Sequence, residues 1–225
     1  MRGIFVTGTD TGVGKSIVTG LLAKYLREKG CKVVTQKWVQ TGSRFSADIN
    51  RHLKISGISQ GSISEYLDDI CPYRFKLPAS PHLAARVQKK EINISQIKKS
   101  FKFLSSRFDF VIVEGTGGAL VPVNAKHLVI DIARQLGLPV LIVAQNKLGA
   151  INHTLMTVEV LRQRKMRILG VLFNSCKGQN KLILKDNLEI IEKITKQNIW
   201  GTLPWNKRIN LLYKNFLPIA RKIIL

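Results

Sequence analysis

A glycine-rich segment near the start of the chain constrains the fold more than any other feature. An apolar run at residues 3–7 is followed directly by the sequence Gly8-Thr9-Asp10-Thr11-Gly12-Val13-Gly14-Lys15-Ser16. A short strand, a glycine-rich turn and a Gly-Lys-Ser sequence that opens a helix are the pattern of a phosphate-binding P-loop. The spacing departs from the common pattern, because five residues instead of four separate Gly8 from Gly14. The alternative interpretation is a purely structural strand-to-helix turn.

The residue types in this loop suit a nucleoside triphosphate. Glycines let backbone N–H groups turn towards phosphate oxygens without a Cβ in the way, and the positive end of the following helix adds to the field. Lys15 supplies a mobile cation for the β- and γ-phosphates, and the hydroxyl of Ser16 is placed to contact Mg²⁺. We therefore predict a nucleotide site in which Lys15 is exposed towards phosphate and is not packed in the core.

Length and composition predict one mid-sized domain that spans residues 1–225. A chain of 225 residues with 45% hydrophobic content can bury a sizeable core. The first residues run straight into a strand and no apolar stretch is long enough to span a bilayer, so we expect neither a leader peptide nor a membrane segment. Cys31, Cys71 and Cys176 form no Cys-x-x-Cys pair, and we expect free thiols in a reducing cytoplasm.

The formal net charge of +22 invites a nucleic-acid or membrane partner, because a strong positive field attracts polyanions whatever their sequence. The basic residues are nevertheless spread along the chain and form neither an arm nor a tail. Many of them stand among isoleucines and asparagines, as AT-rich coding would produce. We expect no nucleic-acid and no membrane partner, and a modest benefit for anionic substrates.

Strand and helix patterns alternate from end to end. Short, β-branched apolar runs predict buried parallel strands at residues 4–6, 31–35, 108–113, 139–143 and 168–173. Helical patterns lie between them at residues 15–29, 92–106, 128–136, 151–164 and 181–196, and Ser80-Pro81 predicts the start of another short helix. This alternation predicts an α/β fold of the P-loop NTPase kind, a doubly wound and mostly parallel sheet with helices on both faces. The site is expected at the carboxyl ends of the strands.

Two charged residues at predicted strand ends are candidates for the chemistry of the site. Glu114 follows a buried strand and precedes Gly115-Thr116-Gly117-Gly118, which is where a P-loop protein places a metal-linked acid. The alternatives for Glu114 are a helix cap or a pairing with a lysine. Lys37 ends the second predicted strand, where a buried ammonium makes sense only if it faces anions. The alternative for Lys37 is a solvated surface charge.

These motifs resemble those of the dethiobiotin synthetases, in the same order and over nearly the whole chain. The matching segments are the P-loop, Lys37 with Thr41-Gly42, Pro72-Tyr73 through Ser80-Pro81-His82, Val113 to Gly118, Lys147-Leu148-Gly149-Ala150-Ile151-Asn152-His153 and Leu203-Pro204-Trp205. The Gly-Thr-Asp-Thr loop and the Lys-Leu-Gly-x-Ile-Asn-His segment are far more specific than a bare P-loop.

The resemblance implies a cytoplasmic homodimer of biotin biosynthesis. Such an enzyme closes a cyclic urea on 7,8-diaminononanoate with CO₂ or bicarbonate, ATP and Mg²⁺, and it releases ADP and phosphate. The route that the resemblance implies passes through a carbamate and a carbamic–phosphoric anhydride. Phosphoryl transfer of this kind depends mostly on positioning and charge stabilisation.

The resemblance also implies roles for individual residues. The implied catalytic residues are Lys15, Lys37 and Thr11. Nucleotide contacts are implied for Gly12, Val13, Gly14, Lys15, Ser16, Ile17, Asp48, Glu114, Gly115, Thr116, Gly117, Asn174, Ser175, Leu203, Pro204 and Trp205. The implied metal ligands are Ser16, Asp48 and Glu114. Substrate contacts are implied for Thr41 and for Gly149, Ala150, Ile151, Asn152 and His153, the last five serving the neighbouring subunit.

Some of these positions have simpler interpretations. Asn174 could be a turn residue, His153 could be a first-turn helix residue held by packing, and Trp38 and Trp205 could belong to the core. The chain also departs from the family pattern. Gly12 stands where some relatives carry a larger polar residue, Trp38 follows Lys37 where proline is common, and Lys207-Arg208 replace acidic residues.

Two rival classes share the P-loop. Partitioning ATPases bind DNA or membranes non-specifically, but they usually carry an extra lysine early in the loop, and residues 8–14 contain none. The amidating ligases of cobalamin synthesis need a glutaminase domain, for which we expect this chain to be too short.

Overall fold

A six-stranded parallel sheet forms the centre of the fold in the computed structural model, which describes residues 3–43, 46–176 and 178–224. The strands, in chain order, are β1 (Gly3–Gly8), β2 (Val33–Lys37), β3 (Val39–Gln40), β4 (Tyr73–Arg74), β5 (Phe110–Gly118), β6 (Val140–Asn146), β7 (Ile168–Ser175) and β8 (Ile199–Leu203). The main sheet has the order β2-β5-β1-β6-β7-β8, and β3 pairs with β4 in a separate parallel ribbon. The predicted parallel α/β fold is therefore confirmed.

Helices cover both faces of this sheet. They are α1 (Lys15–Glu28), α2 (Ala47–Ser56), α3 (Leu67–Ile70), α4 (Pro81–Val87), α5 (Ile94–Arg107), α6 (Val129–Gln135), α7 (Ala150–Gln163), α8 (Lys181–Thr195) and α9 (Ile209–Ile224), with a 3₁₀ turn at Gly61–Tyr66. Along β1, Ile4 and Val6 join one buried cluster with side chains of α1 and α9, while Phe5 joins the opposite cluster with side chains of α5 to α8. This alternation follows from the two-residue period of a strand.

The predicted elements lie close to the observed ones, with differences at their ends. The second strand begins two residues later than predicted and ends at Lys37, and the strand predicted at 108–113 continues to Gly118. The short helix α4 has Pro81 at its first position, as predicted. Strands β3, β4 and β8 and helices α2, α3 and α9 were not predicted.

A close helix crossing brings α2 beside the P-loop. A Cβ built on Gly20 of α1 would lie 2.8 Å from Cβ of Ile55 in α2, a separation that real side chains do not adopt. Glycine at this position therefore lets the two helix backbones approach closely. Through this contact, the first turns of α2 lie against the carboxyl ends of β2 and β5.

Register in the sheet aligns the charged residues of these strand ends. Lys37 is the pairing partner of Glu114 between β2 and β5, and Val6 of β1 pairs with Glu114 on its other side. Because β1 runs directly into the P-loop, this loop lies at the same edge of the sheet as Lys37 and Glu114. The three cysteines are free thiols, and no helix in the described ranges is long and apolar enough to cross a membrane.

Candidate active site

The conformation of the P-loop depends on its glycines. The φ angles of Gly12 and Gly14 are +71° and +96°, a region that side chains with a Cβ rarely adopt. Gly14 is also the N-cap of α1, and a Cβ built there would collide with the side-chain amide of Asn174. The loop therefore brings the start of α1 directly against the end of β7.

Lys15 is more buried than the sequence led us to expect. Only 6% of the residue is exposed, and its ammonium donates a hydrogen bond of 2.9 Å to the carbonyl of Asp10. Burial, together with the nearby charge of Lys37, lowers the pKa of Lys15 to about 8. The prediction of an exposed lysine is wrong, because the loop wraps round the side chain, although Lys15 still lines the cavity beside the loop.

This cavity, which we call the phosphate cavity, brings together residues from five parts of the chain. Its walls are formed by Thr11, Gly12, Gly14, Lys15, Ser16, Ile17, Lys37, Gln40, Thr41, Asp48, Arg51, Glu114, Thr116 and Gly117. Twelve of these fourteen were predicted as site residues, and the additions are Gln40 and Arg51. The Gln40 side chain accepts a hydrogen bond of 3.2 Å from the backbone N–H of Asp48 and so holds the start of α2.

Lys37 is buried and fully hydrogen-bonded. Its ammonium lies 2.7 Å from Oε1 of Glu114, 2.9 Å from Oδ2 of Asp48 and 2.9 Å from the carbonyl of Gly115. Burial alone would lower the pKa of Lys37, but the two carboxylates outweigh it and raise the pKa above its usual value. The alternative of a solvated surface charge is thus wrong for Lys37, which is 3% exposed.

Glu114 is the centre of this cluster. Its Oε1 contacts Lys37 and accepts a hydrogen bond of 3.1 Å from the hydroxyl of Ser16, while its Oε2 lies 2.6 Å from Nε2 of His52. Burial would raise the pKa of Glu114, yet Lys37 and His52 hold it well below its usual range. The pairing with a lysine and the contact with Ser16, which were treated as alternatives, occur together.

The three predicted metal ligands lie next to one another. The hydroxyl of Ser16 is 3.1 Å from both Oδ1 of Asp48 and Oε1 of Glu114. Hydroxyl and carboxylate oxygens are the hard donors that Mg²⁺ prefers, so the donor set fits this ion. In the described ranges no three His, Cys, Asp or Glu side chains form a metal site by themselves, so phosphate oxygens and water would have to complete the coordination.

His52 is a site residue that sequence reasoning missed. It lies in α2, four residues after Asp48, so that both side chains face the same way. Its exposed fraction is 0%, and its Nδ1 has no hydrogen-bond partner among the described residues. The i, i+4 spacing from Asp48 is the signal that could have found it, had α2 been predicted.

A second cavity continues from the P-loop towards the ends of β7 and β8. It is lined by Gly12, Val13, Gly14, Ile17, Gln145, Asn174, Ser175, Leu203, Pro204, Trp205, Asn206 and Leu212. The amide of Asn174 donates a hydrogen bond of 2.6 Å to the carbonyl of Val13, which ties β7 to the P-loop. Trp205 is 47% exposed at the rim and is not a core residue, unlike Trp38, which stacks on Phe5 with ring centroids 5.3 Å apart.

One predicted nucleotide contact lies behind the cavity wall. The carbonyl of Gly115 accepts a hydrogen bond from Lys37, and a Cβ on Gly115 would lie 2.8 Å from the Phe5 ring. Gly115 therefore packs against the core and lines neither cavity, and its carbonyl supports Lys37; its contact with the nucleotide stays a prediction. Beside it, the hydroxyl of Thr116 donates to the carbonyl of Val39 at 2.7 Å and fixes the wall.

The predicted substrate segment at 149–153 lies apart from the phosphate cavity of its own chain. Gly149, with φ of +86°, is the N-cap of α7, and the N–H of Ala150 donates to the carbonyl of Lys147 at 3.1 Å. Neither these residues nor Ile151 and Asn152 line the phosphate cavity. His153 lines a third, mostly apolar cavity together with Thr9, Gly118, Ala119, Leu120, Val121, Met156, Thr157 and Val160.

This chain is similar to several named proteins over most of its own length and of theirs. A family model described as an AAA domain matches residues 2–211. The ATP-dependent dethiobiotin synthetase BioD 2 of Haemophilus ducreyi is 39% identical over 88% of this chain and 94% of its own. The enzymes named BioD from Chlorobaculum tepidum and Anaeromyxobacter dehalogenans are each 38% identical, over 88% and 93% of this chain and 83% and 92% of their own.

Solved structures with a similar fold belong to other kinds of protein, and their sequence identity to this chain is much lower. The MinD cell division protein in its complex with MinC, from Aquifex aeolicus, has a TM-score of 0.63 at 17% identity and covers 100% of this chain and 96% of its own. A plasmid partition protein from Borrelia burgdorferi has a TM-score of 0.64 at 17% identity, covering 99% and 97%. They share the P-loop fold with this chain, and at such identity they show the fold alone.

The buried ion pair predicts a thermodynamic coupling. Glu114→Gln and Lys37→Met should each lower the free energy of unfolding by about 3 kcal/mol, because each strands a buried partner. The double variant should be less destabilised than the sum of the two by about 2 kcal/mol. Urea denaturation of the four proteins measures both quantities.

A matched control is the exposed ion pair between Arg74 and Asp68, whose side chains are 2.7 Å apart but 36% and 95% exposed. Asp68→Asn should cost less than about 1 kcal/mol. Equal losses for Glu114→Gln and Asp68→Asn would contradict a tightly coupled buried pair.

Proposed function

The chain belongs to the family of ATP-dependent dethiobiotin synthetases, and we propose that its phosphate cavity closes the cyclic urea of dethiobiotin on 7,8-diaminononanoate. It is an ATP-dependent ligase of biotin biosynthesis that forms carbon–nitrogen bonds, with ATP as its co-substrate. The observation that carries this conclusion is 38–39% identity over at least 88% of the chain.

The proposed reaction has three steps, each of which balances. An amine of the substrate adds to CO₂ and loses a proton, which gives a carbamate. A carbamate oxygen attacks the γ-phosphorus of ATP and ADP leaves, so that a carbamic–phosphoric anhydride forms. The second amine attacks the carbonyl carbon, phosphate leaves with the carbamate oxygen, and loss of a proton completes the urea.

Two lysines supply the positive charge that these steps require. We propose that Lys15, at the start of α1, contacts the β- and γ-phosphates. The three donors of Lys37 are occupied by Glu114, Asp48 and the carbonyl of Gly115. Lys37 would therefore meet the carbamate and the transferring phosphoryl group by exchanging one of these contacts for a ligand oxygen. Both line the phosphate cavity, and the charge of Lys37 contributes to the lowered pKa of Lys15. Because negative charge spreads over several oxygens during the transfer, cations on two sides stabilise it better than one.

Ser16, Asp48 and Glu114 would hold Mg²⁺ together with phosphate oxygens and water. When bound, the ion neutralises charge on the β- and γ-phosphates. We propose that the hydroxyls of Thr11 and Thr41, which line the same cavity, hydrogen-bond the carbamate or phosphate.

The second cavity would receive the nucleotide base. Its walls combine the apolar side chains of Leu203 and Pro204 with the amide of Asn174 and the ring of Trp205 at the rim. The amide nitrogen of Asn174 is bonded to the carbonyl of Val13, which fixes the side chain and leaves its oxygen as an acceptor for the exocyclic amine of adenine.

We further propose a homodimer in which each subunit completes the other's substrate site. The segment at 149–153 begins a helix, whose first N–H groups suit a carboxylate, yet it does not line its own phosphate cavity. Around it are exposed apolar side chains: Leu148 is 77% exposed, Met156 58% and Leu120 47%. An apolar surface of this kind beside a helix start is suited to cover by a second copy of the chain.

The fold similarity to MinD and partition proteins does not favour their functions for this chain. Identity to those proteins is 17%, against 38–39% to the synthetases. The P-loop also has no lysine before Lys15. We propose small-molecule substrates, with no nucleic-acid or membrane partner, and a cytoplasmic location supported by the three free thiols.

Mass spectrometry tests the proposed reaction directly. The protein is mixed with Mg·ATP, ¹³C-bicarbonate and diaminononanoate, and dethiobiotin carrying one ¹³C atom should form in step with ADP. Omission of diaminononanoate should abolish ADP release. The proposed function is wrong if ADP release is independent of diaminononanoate and is stimulated by DNA instead.

Mixing two inactive variants tests the shared site. Lys15→Ala removes a phosphate contact without stranding a carboxylate, because Lys15 bonds only a backbone carbonyl among the contacts described. Ile151→Pro deletes one N–H in the first turn of α7, where proline is tolerated. After random subunit exchange, half of the dimers carry one complete site of two, so about a quarter of wild-type activity should return.

Ile151→Ala is the matched control, because it loses the same packing but keeps the N–H, and it should stay active. If labelled subunits are seen to exchange and the mixture of Lys15→Ala and Ile151→Pro remains inactive, each chain builds its own site.

A further inference from the structure

We propose that His52 is a positioning residue that fixes the carboxylate of Glu114, so that one oxygen stays turned to Lys37, Ser16 and Mg²⁺. This inference rests on the proposed function, in which Glu114 holds the ion. His52 itself would touch neither the substrate nor the nucleotide.

The two carboxylate oxygens of Glu114 have different partners. Oε2 lies 2.6 Å from Nε2 of the ring, whereas Oε1 lies 2.7 Å from Nζ of Lys37 and 3.1 Å from Oγ of Ser16. The ring is on the core side of the carboxylate, with an exposed fraction of 0%, and the other two groups line the phosphate cavity. The ring therefore bonds Oε2, the carboxylate oxygen that contacts neither Lys37 nor Ser16.

The chemistry of the contact makes His52 a donor. An ionised carboxylate can only accept hydrogen bonds, so the proton of the contact lies on Nε2. The other ring nitrogen, Nδ1, is buried without a hydrogen-bond partner in the described part of the chain. An apolar side chain would avoid that unpaired atom, so what the imidazole adds at this position is the bond to Glu114.

A fixed carboxylate matters because the last torsion of a glutamate is soft. Rotation about this bond exchanges the two oxygens and turns the plane of the carboxylate. With Oε2 held, Oε1 keeps its distance and direction relative to Ser16 and Lys37. Hydrogen bonds of this indirect kind typically tune metal affinity, because they orient the ligand that contacts the ion.

Helix α2 positions both His52, which contacts Glu114, and Asp48, which shares the partners Lys37 and Ser16 with Glu114. His52 follows Asp48 by one turn, and Asp48 contacts Lys37 at 2.9 Å and Ser16 at 3.1 Å. Packing of α2 on α1 through Gly20 and Ile55 sets the distance of this helix from the P-loop. Helix α2 thus supplies Asp48, which lines the cavity, and His52, which bonds Glu114 from the core side.

Calorimetric titration with the analogue AMPPNP tests this role in the full-length protein, with MgCl₂ and separately with EDTA. His52→Leu removes the donor and should weaken the Mg²⁺-dependent affinity about tenfold, with the affinity in EDTA unchanged. His52→Gln, whose amide can donate to the same oxygen, should retain most of the affinity. Should the leucine variant fail to fold, His52→Met is measured in its place.

Ile49→Val is the matched control, because Ile49 is a buried residue of the same helix that contacts neither Glu114 nor the Gly20 crossing among the contacts described. The proposal is overturned if the leucine variant binds as the Ile49→Val protein does, if it loses affinity equally in EDTA, or if glutamine is as damaging as leucine.

Failure of this inference and failure of the proposed function are separable. Formation of dethiobiotin by the wild-type protein tests the function alone, whereas the titrations follow nucleotide and metal and need no diaminononanoate. Wild-type activity with unchanged titrations in the His52 variants would leave the function standing and remove the positioning role.

Discussion

The buried ammonium of Lys37 is the constraint on which the rest of the site depends. A lysine that is 3% exposed is tolerated only with its charge balanced and its donors occupied. Glu114, Asp48 and the carbonyl of Gly115 meet that need within 2.9 Å. Register between β2 and β5 places Lys37 opposite Glu114, but Asp48 arrives only if α2 packs closely on α1. The absence of a side chain at Gly20, which allows this close packing, is therefore as necessary to the site as the charged groups.

The two lysines of the phosphate cavity are held in different electrostatic states. Lys37 has a raised pKa because carboxylates surround it, whereas burial and the charge of Lys37 lower the pKa of Lys15 to about 8. Among the described residues, Lys15 has no anionic group in direct contact, because its ammonium bonds a backbone carbonyl. A phosphate group would supply that anionic partner. With a pKa of about 8, Lys15 should lose its charge as the pH rises through that value, and we expect the attraction of the free protein for ATP to weaken over the same range.

Sequence patterns predicted the parts of the molecule in which local chemistry and the fold agree. The P-loop, Lys37 and Glu114 were found because each stands at the end of a buried apolar strand, and parallel strands bring their ends to one edge. Burial of Lys15 was predicted wrongly, because wrapping of the loop round a side chain has no local signal. His52 was missed with α2, because the polar sequence at the start of that helix hid its buried face. In β8, Gly201 and Thr202 interrupt the apolar run, and Pro218 lies inside α9, so neither element shows a regular period.

The central claim is that the phosphate cavity activates a carbamate by transfer of a phosphoryl group to its oxygen. The most direct measurement uses ¹⁸O-labelled CO₂ with Mg·ATP and diaminononanoate, followed by mass spectrometry of the released phosphate. Scaled to the label content of the CO₂ in the same sample, one oxygen of CO₂ origin should appear in each phosphate formed with dethiobiotin. Dethiobiotin formed together with unlabelled phosphate would contradict the account, because the carbamate oxygen would then never have bonded to phosphorus.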